Sequence, residues 1–206
     1  MQKKLETIGF ILGWFAIIAQ FVLIIQNRQT DITETIIRFF TFFTILTNLL
    51  VALFFTYKIF PFTKTITIFN KKGTLTALTT FILIVGLVYQ FTLRGLWEPQ
   101  GMQRVVDELL HSIIPFYVLI YWIVYSGKEK INFRDTAIWL VYPLVYFIIV
   151  LVRGSFSNYY PYPFLNVTAI GIEKVLMNSV IILLFMLVIM GILVGVKNSV
   201  RKKTTI

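Results

Sequence analysis

Three observations predict an all-α, polytopic integral membrane protein of six transmembrane helices. The 206-residue chain is 58% hydrophobic and only 14% charged, far from the roughly one-quarter charged residues of soluble domains. Windows of about 20 residues, enough to cross ~30 Å of hydrocarbon at about 1.5 Å per residue, fall near 7–26, 36–57, 74–93, 108–125, 136–152 and 173–196 and occupy nearly the whole chain as a single transmembrane domain. Each is apolar around most of its circumference, unlike an amphipathic surface helix. The Val, Ile, Phe and Tyr content favours strands locally, but no window shows the period-2 alternation of a barrel strand.

Composition also narrows the chemistry. With no Cys and one His, the chain cannot build a disulfide framework, a zinc-thiolate or iron–sulfur site, or a two-histidine metal site. No Gly-x-Ser-x-Gly elbow, phosphate loop or zinc signature occurs, so no metal or cofactor is implied. The net charge of +10 would suggest nucleic acid in a soluble chain. Here thirteen of the nineteen Lys and Arg lie at the N-terminus, at the C-terminus or in the loops near 58–72 and 128–134. The positive-inside rule then places both termini and those two loops in the cytoplasm, with the protein in the cell membrane and no nucleic-acid partner.

The first window follows Lys3 and Lys4 and has an apolar run of about 20 residues, too long for a signal h-region of about 7–15. Ile25-Gln26-Asn27 is not a small-residue cleavage site, so this segment is expected to remain as the first span. The connection from Tyr57 to Gly73 is a Lys and Thr segment with Pro61. The opposite loops carry Asp31, Glu34, Arg94, Trp97, Glu98, Asp107, Glu108 and the run Asn158, Tyr159, Tyr160, Tyr162 and Asn166. Tyr and Trp at that level suit an interfacial belt or the rim of a binding site. Halves 1–100 and 101–206 show no internal repeat of the kind found in many transporters.

Polar residues inside spans are costly unless they face protein or water. With the N-terminus inside, Gln20, Arg38, Thr41, Thr44, Gln90, His111, Ser112 and Asn178 gather in the outer halves, as a pocket opening outward would require. In the second span Thr41, Thr44 and Asn48 follow one another at spacings of three and four, with Thr47 beside them and Arg38 a turn above. Such a stripe ordinarily serves a helix interface; alternatively one hydroxyl is a nucleophile. In the fourth span Asp107 and Glu108 stand four and three residues before His111, within reach of its ring, and Pro115 removes the N–H that would bond the His111 carbonyl, predicting a kink. A lone His there is ordinarily a structural hydrogen-bond partner; alternatively it is a base.

Thr44 lies roughly 12 Å below the start of the second span and His111 about one turn inside the fourth, so tilt and side-chain length can bring them together. In that case the imidazole takes the hydroxyl proton as Thr44 attacks an ester carbonyl, Asp107 or Glu108 orients the ring, and Arg38, Gln90 or Asn178 binds the oxyanion or a substrate carboxylate. Asn48 supports the same face.

Three stretches carry a family likeness: Phe43-Thr44 with the apolar run to Phe55, His111 through Pro115-Phe116 to Trp122, and Tyr162-Pro163-Phe164-Leu165. In order and spacing the chain resembles the androgen-induced, FAR-type membrane proteins that hydrolyse fatty acid esters of hydroxy fatty acids, together with their bacterial six-span relatives. The resemblance implies a threonine-dependent hydrolase acting on long-chain ester lipids, with Thr44 as nucleophile and His111 as its catalytic partner. In the animal members the His stands one residue further from the Pro, and a carboxylate occupies the position of Thr47. The rival expectations are a small-solute or lipid transporter, in which the stripe lines a pathway, and a non-catalytic assembly subunit. Gly191 and Gly195 give the last span a weak helix-packing face for such a subunit or for a homo-oligomer.

Overall fold

The computed structural model describes residues 1–60, 67–96, 98–127 and 129–202, with side chains through 199. Pro61, Lys64, Trp97, Lys128 and Lys203, and the side chains of Arg201 and Lys202, lie outside the described set. Among the described residues the regular structure is helical and no strand occurs. In chain order the helices are α1 (Gln2–Gln26), α2 (Ile32–Phe39), α3 (Phe43–Ile59), α4 (Thr74–Val88), α5 (Gly101–Glu108), α6 (Ile114–Tyr125), α7 (Phe133–Ala137), α8 (Val141–Ser157), α9 (Val167–Ile170) and α10 (Ile172–Lys202). Five continuous helical stretches are long and apolar enough to cross a bilayer: Gln2–Gln26, Thr74–Leu96, Gly101–Tyr125, Phe133–Ser157 and Ile172–Ser199. A sixth is the pair α2 and α3, bent by 68°.

That bend corrects the expectation of one straight helix over 36–57. Phe42 adopts extended backbone (φ −80°, ψ 123°) and caps α3, so Thr41 leaves the Thr44 and Asn48 helix and the three do not form one stripe. The polar groups released by the break find partners. The Thr41 hydroxyl donates to the Arg38 carbonyl at 2.6 Å, and the Tyr146 hydroxyl donates to the Thr41 carbonyl at 2.9 Å. Buried backbone groups need such replacements, because an unpaired one costs about as much as a lost hydrogen bond.

α4 is the central post, packed against α3, α6 and α10. Ala77, Phe81, Ile82, Thr79 and Thr80 are fully buried there, the two threonines bonding back to the carbonyls of Leu75 and Thr76. α1 lies close against α3 because Gly9 faces the Phe55 ring and Gly13 faces Ala52. A Cβ on Gly9 would stand 2.6 Å from that ring. Trp14 Nε1 donates to the Thr56 hydroxyl across the same seam at 2.9 Å.

Two helices open into a π-helical turn at the level of the polar residues: Tyr89–Leu93 continues α4, and Leu109–Ile113 joins α5 to α6. In the second turn the Ile114 N–H bonds to the Leu109 carbonyl. The corresponding partner of the Leu110 carbonyl would be the nitrogen of Pro115, which has no hydrogen. Asn48 Nδ2, on α3, supplies the missing donor at 3.3 Å. The proline therefore opens the helix as expected, but the carbonyl it leaves for a side chain is that of Leu110. Gly86 lets α4 approach this turn: a Cβ there would lie 2.9 Å from the His111 carbonyl oxygen.

Candidate active site

Thr44 stands in the first turn of α3, where the leading backbone N–H groups have no acceptor within the helix and the helix dipole presents its positive end. Its hydroxyl lies 3.4 Å from His111 Nε2, joining α3 to the π-turn of the fourth span. On the other side of the imidazole, Nδ1 lies 2.9 Å from the Asp107 carbonyl oxygen and 3.2 Å from Asp107 Oδ1. Both of those atoms are acceptors, so the proton belongs on Nδ1, and the Nε2 lone pair faces the Thr44 hydroxyl. This tautomer is the one a base needs to take a proton from Thr44.

The Asp107 carboxylate is 4% exposed, and its second oxygen accepts a hydrogen bond from the Tyr89 hydroxyl. Tyr89 also stacks on the imidazole, ring centroids 4.1 Å apart and planes 14° from parallel. The ring of His111 is thereby fixed in plane by Asp107 and across its face by Tyr89. Tyr89 carries no local sequence signal, since its partners lie 18 and 22 positions further along the chain. Only the facing π-turns bring it there.

Tyr162, from the segment between α8 and α9, completes the cluster. Its oxygen accepts the Thr44 N–H at 3.2 Å and lies 3.3 Å from the Thr44 hydroxyl. Burial raises the Tyr162 phenol above its ordinary value, so at neutral pH it remains a neutral hydroxyl able to donate. The aromatic-rich stretch was visible in the sequence, but a contact spanning 118 positions was not. Phe164 stacks on Tyr162, centroids 5.1 Å apart, and Asn178 Nδ2 holds the Phe164 carbonyl at 3.1 Å.

The other expected site residues are placed differently. Asn48 is fully buried and bonds the Thr44 carbonyl at 2.9 Å as well as that of Leu110, bracing the two halves of the cluster. Glu108 does not reach the imidazole. It accepts from the Ser112 hydroxyl at 2.6 Å and pairs with Arg94, because consecutive helical residues point about 100° apart. Gln90 donates to Ser112 at 2.9 Å within that second network. Arg38 pairs with Glu34 at 2.7 Å, and Asn178 serves the loop. Thus Arg38, Gln90 and Asn178 are not at the Thr44 hydroxyl; the donor beside it is the Tyr162 hydroxyl, whose oxygen takes up the Thr44 N–H. Thr47 bonds the Tyr142 hydroxyl at 2.8 Å, which leaves Thr44 as the threonine facing His111.

Thr44 and Tyr162 form part of the wall of a cavity of about 410 Å³, within the usual range for ligand pockets. The remaining wall is almost wholly apolar and includes Val85, Val88, Leu144, Phe147, Val180, Leu183 and Met186. Among the described residues no three His, Asp or Glu side chains converge as a metal site. Comparison of the chain with protein-family models, with curated proteins and with solved structures gives no match.

Proposed function

We propose that the chain is an integral membrane hydrolase that cuts long-chain ester lipids with Thr44 as nucleophile, His111 as general base and Asp107 as the orienting carboxylate. The observation that carries this reading is the line Asp107, His111, Thr44 ending at an apolar cavity. A polar triad alone would suit helix packing; a triad whose nucleophile opens on a long apolar hollow suits an acyl substrate. Six apolar segments and the distribution of Lys and Arg support a bilayer setting with both termini cytoplasmic. The reactive cluster then faces the outer half of the membrane, and a lipid enters sideways.

The chemistry follows from the placed groups. As the Thr44 oxygen attacks the ester carbonyl, its proton passes to His111 Nε2, and the imidazolium is stabilised by Asp107. The carbonyl oxygen, now an oxyanion, is received by the Tyr162 hydroxyl, near the positive end of the α3 dipole. Collapse breaks the bond to the alcohol oxygen, which takes the proton from His111 and leaves an acyl-Thr44. Water then attacks, giving its proton to His111, and the proton returns to Thr44 as the fatty acid departs. The 3.4 Å between Thr44 and His111 is longer than a reacting hydrogen bond, as is common without substrate.

Reaction of the purified protein with a serine- and threonine-directed fluorophosphonate tests this. Wild type labels, while Thr44→Ala and His111→Ala do not. Undiminished labelling of both variants would overturn the assignment, and solute transport by an unlabelled protein would favour a pathway instead.

A further inference from the structure

A second polar cluster, apart from Thr44 and His111, joins α2, α8 and the loop before α9, and its charges do not balance. Arg38 Nε and Arg153 Nη2 both bond the same oxygen of Glu34, at 2.7 and 2.6 Å. Asp31, the other acid of this segment, accepts the Glu34 N–H at 3.0 Å at the start of α2 and pairs with neither guanidinium. Two guanidinium groups thus share one carboxylate, leaving one positive charge. Arg153 is 17% exposed, and its Nη1 is buried with no hydrogen-bond partner. The Tyr159 ring lies under both guanidiniums, 4.1 Å from the Arg38 carbon and 5.3 Å from that of Arg153. A buried guanidinium nitrogen without an acceptor is costly, and paired planar forks favour an oxyanion.

The position of the cluster indicates what carries that oxyanion. Arg153 lies two turns of α8, roughly 10 Å, beyond Tyr146, which lines the cavity beside Thr44. Tyr159 is three residues before Tyr162 in the same loop. The two elements that carry Arg153 and Tyr159, α8 and the loop before α9, thus also contribute Tyr146 and Tyr162 to the cavity wall, so a headgroup at the arginines lies within a lipid's length of the apolar hollow. One surplus positive charge matches a headgroup of net negative charge, whose two non-bridging phosphodiester oxygens can each meet one guanidinium, whereas a choline on the same phosphodiester would add a positive charge back.

We propose that Arg38 and Arg153 bind the phosphodiester headgroup of an anionic membrane lipid whose chains enter the cavity beside Thr44. This rests on the bilayer setting proposed above and not on hydrolysis. Burial raises the Tyr159 phenol above its ordinary value, so that hydroxyl adds no negative charge at neutral pH.

Native mass spectrometry of the full chain in neutral detergent, titrated with phosphatidylglycerol or phosphatidylcholine, tests the site. Wild type should retain phosphatidylglycerol at about tenfold lower concentration than phosphatidylcholine, and Arg153→Gln or Arg38→Gln should each remove about that factor. Glu34→Gln, which frees both forks, should tighten phosphatidylglycerol; a gain of binding cannot come from misfolding. Retention of phosphatidylglycerol by a protein that the fluorophosphonate does not label would leave this assignment standing without the hydrolase one. Equal retention of the two lipids, or weaker phosphatidylglycerol binding by Glu34→Gln, would overturn the proposal. Displacement of the lipid by millimolar inorganic phosphate, or by oleate as readily as by phosphatidylglycerol, would overturn the assignment to a lipid phosphodiester.

Discussion

The two sides of the molecule are packed to different standards. Burial of the apolar windows separates the central post, 67% in Thr74–Leu96, from perimeter helices on either side, 22% in Gln2–Gln26, 17% in Phe133–Ser157 and 28% in Ile172–Ser199; the two sides differ in how their seams close. The α1, α3, α4 and α6 side closes glycine to ring, as at Gly9 and Phe55. The α8 and α10 side leaves a hollow of about 410 Å³ against α4, and Gly191 and Gly195 face open space. His111, Asp107 and Tyr89 belong to the close-packed side, whereas Tyr162 and most of the cavity wall belong to the loose one. The difference teaches a division of labour. On the proposed reading, the groups that must hold an orientation sit on the close-packed side, and the surface that would admit a flexible chain sits where packing is incomplete.

Experiments can break this comparison from either side. The largest effect is expected from removing the proposed base on the rigid side: His111→Ala should lower kcat toward a long-chain p-nitrophenyl ester by roughly 10³-fold, measured on protein shown to remain folded in detergent. Tyr162→Phe, on the loose side, removes one donor to the oxyanion and should cost about 10²-fold in kcat with KM nearly unchanged; a change in KM alone would make Tyr162 part of the cavity wall only. For packing itself, Gly9→Val should destabilise the detergent-solubilised protein by about 1–3 kcal/mol, because the ring of Phe55 cannot yield without moving α3. Gly191→Ala, with no atom of this chain within 4 Å of its Cβ, should leave the thermal midpoint of the monomer unchanged. The smallest expected change in rate is that of Tyr89→Phe, which keeps the stacking on His111 but deprives Asp107 of a donor. It should reduce kcat by about three- to tenfold, the worth of roughly one hydrogen bond. A Tyr89→Phe enzyme as slow as His111→Ala would show that Asp107 has no orienting role without it.

Several features were legible one residue at a time. The apolar windows stand out because every residue along a span contributes to the same sum, so the helices at 7–26, 74–93 and 173–196 appear in the fold with small extensions. Pro115 announced a disturbed helix because its missing N–H acts locally. Asp107 and His111 are four residues apart on one helix, and that spacing alone brings them together. The spacing could not choose Asp107 over Glu108, since the choice depends on whether the turn is α or π. Likewise the Thr41, Thr44 and Asn48 stripe assumed a continuous helix, and the 68° bend at Phe40–Phe42 removed Thr41 from it.

By itself the sequence determined an all-helical chain of long apolar segments, the absence of thiol chemistry and the candidacy of one histidine, all properties summed over near neighbours. Only the tertiary structure decided that Thr44 rather than Thr41 or Thr47 faces that histidine, and that Tyr89 and Tyr162 flank the pair. It also decided that Arg38 is joined by Arg153 on Glu34, away from the Thr44 hydroxyl. Each of those pairings closes a loop of tens of residues through the packing of several helices at once, and such contacts leave no periodic trace in the chain.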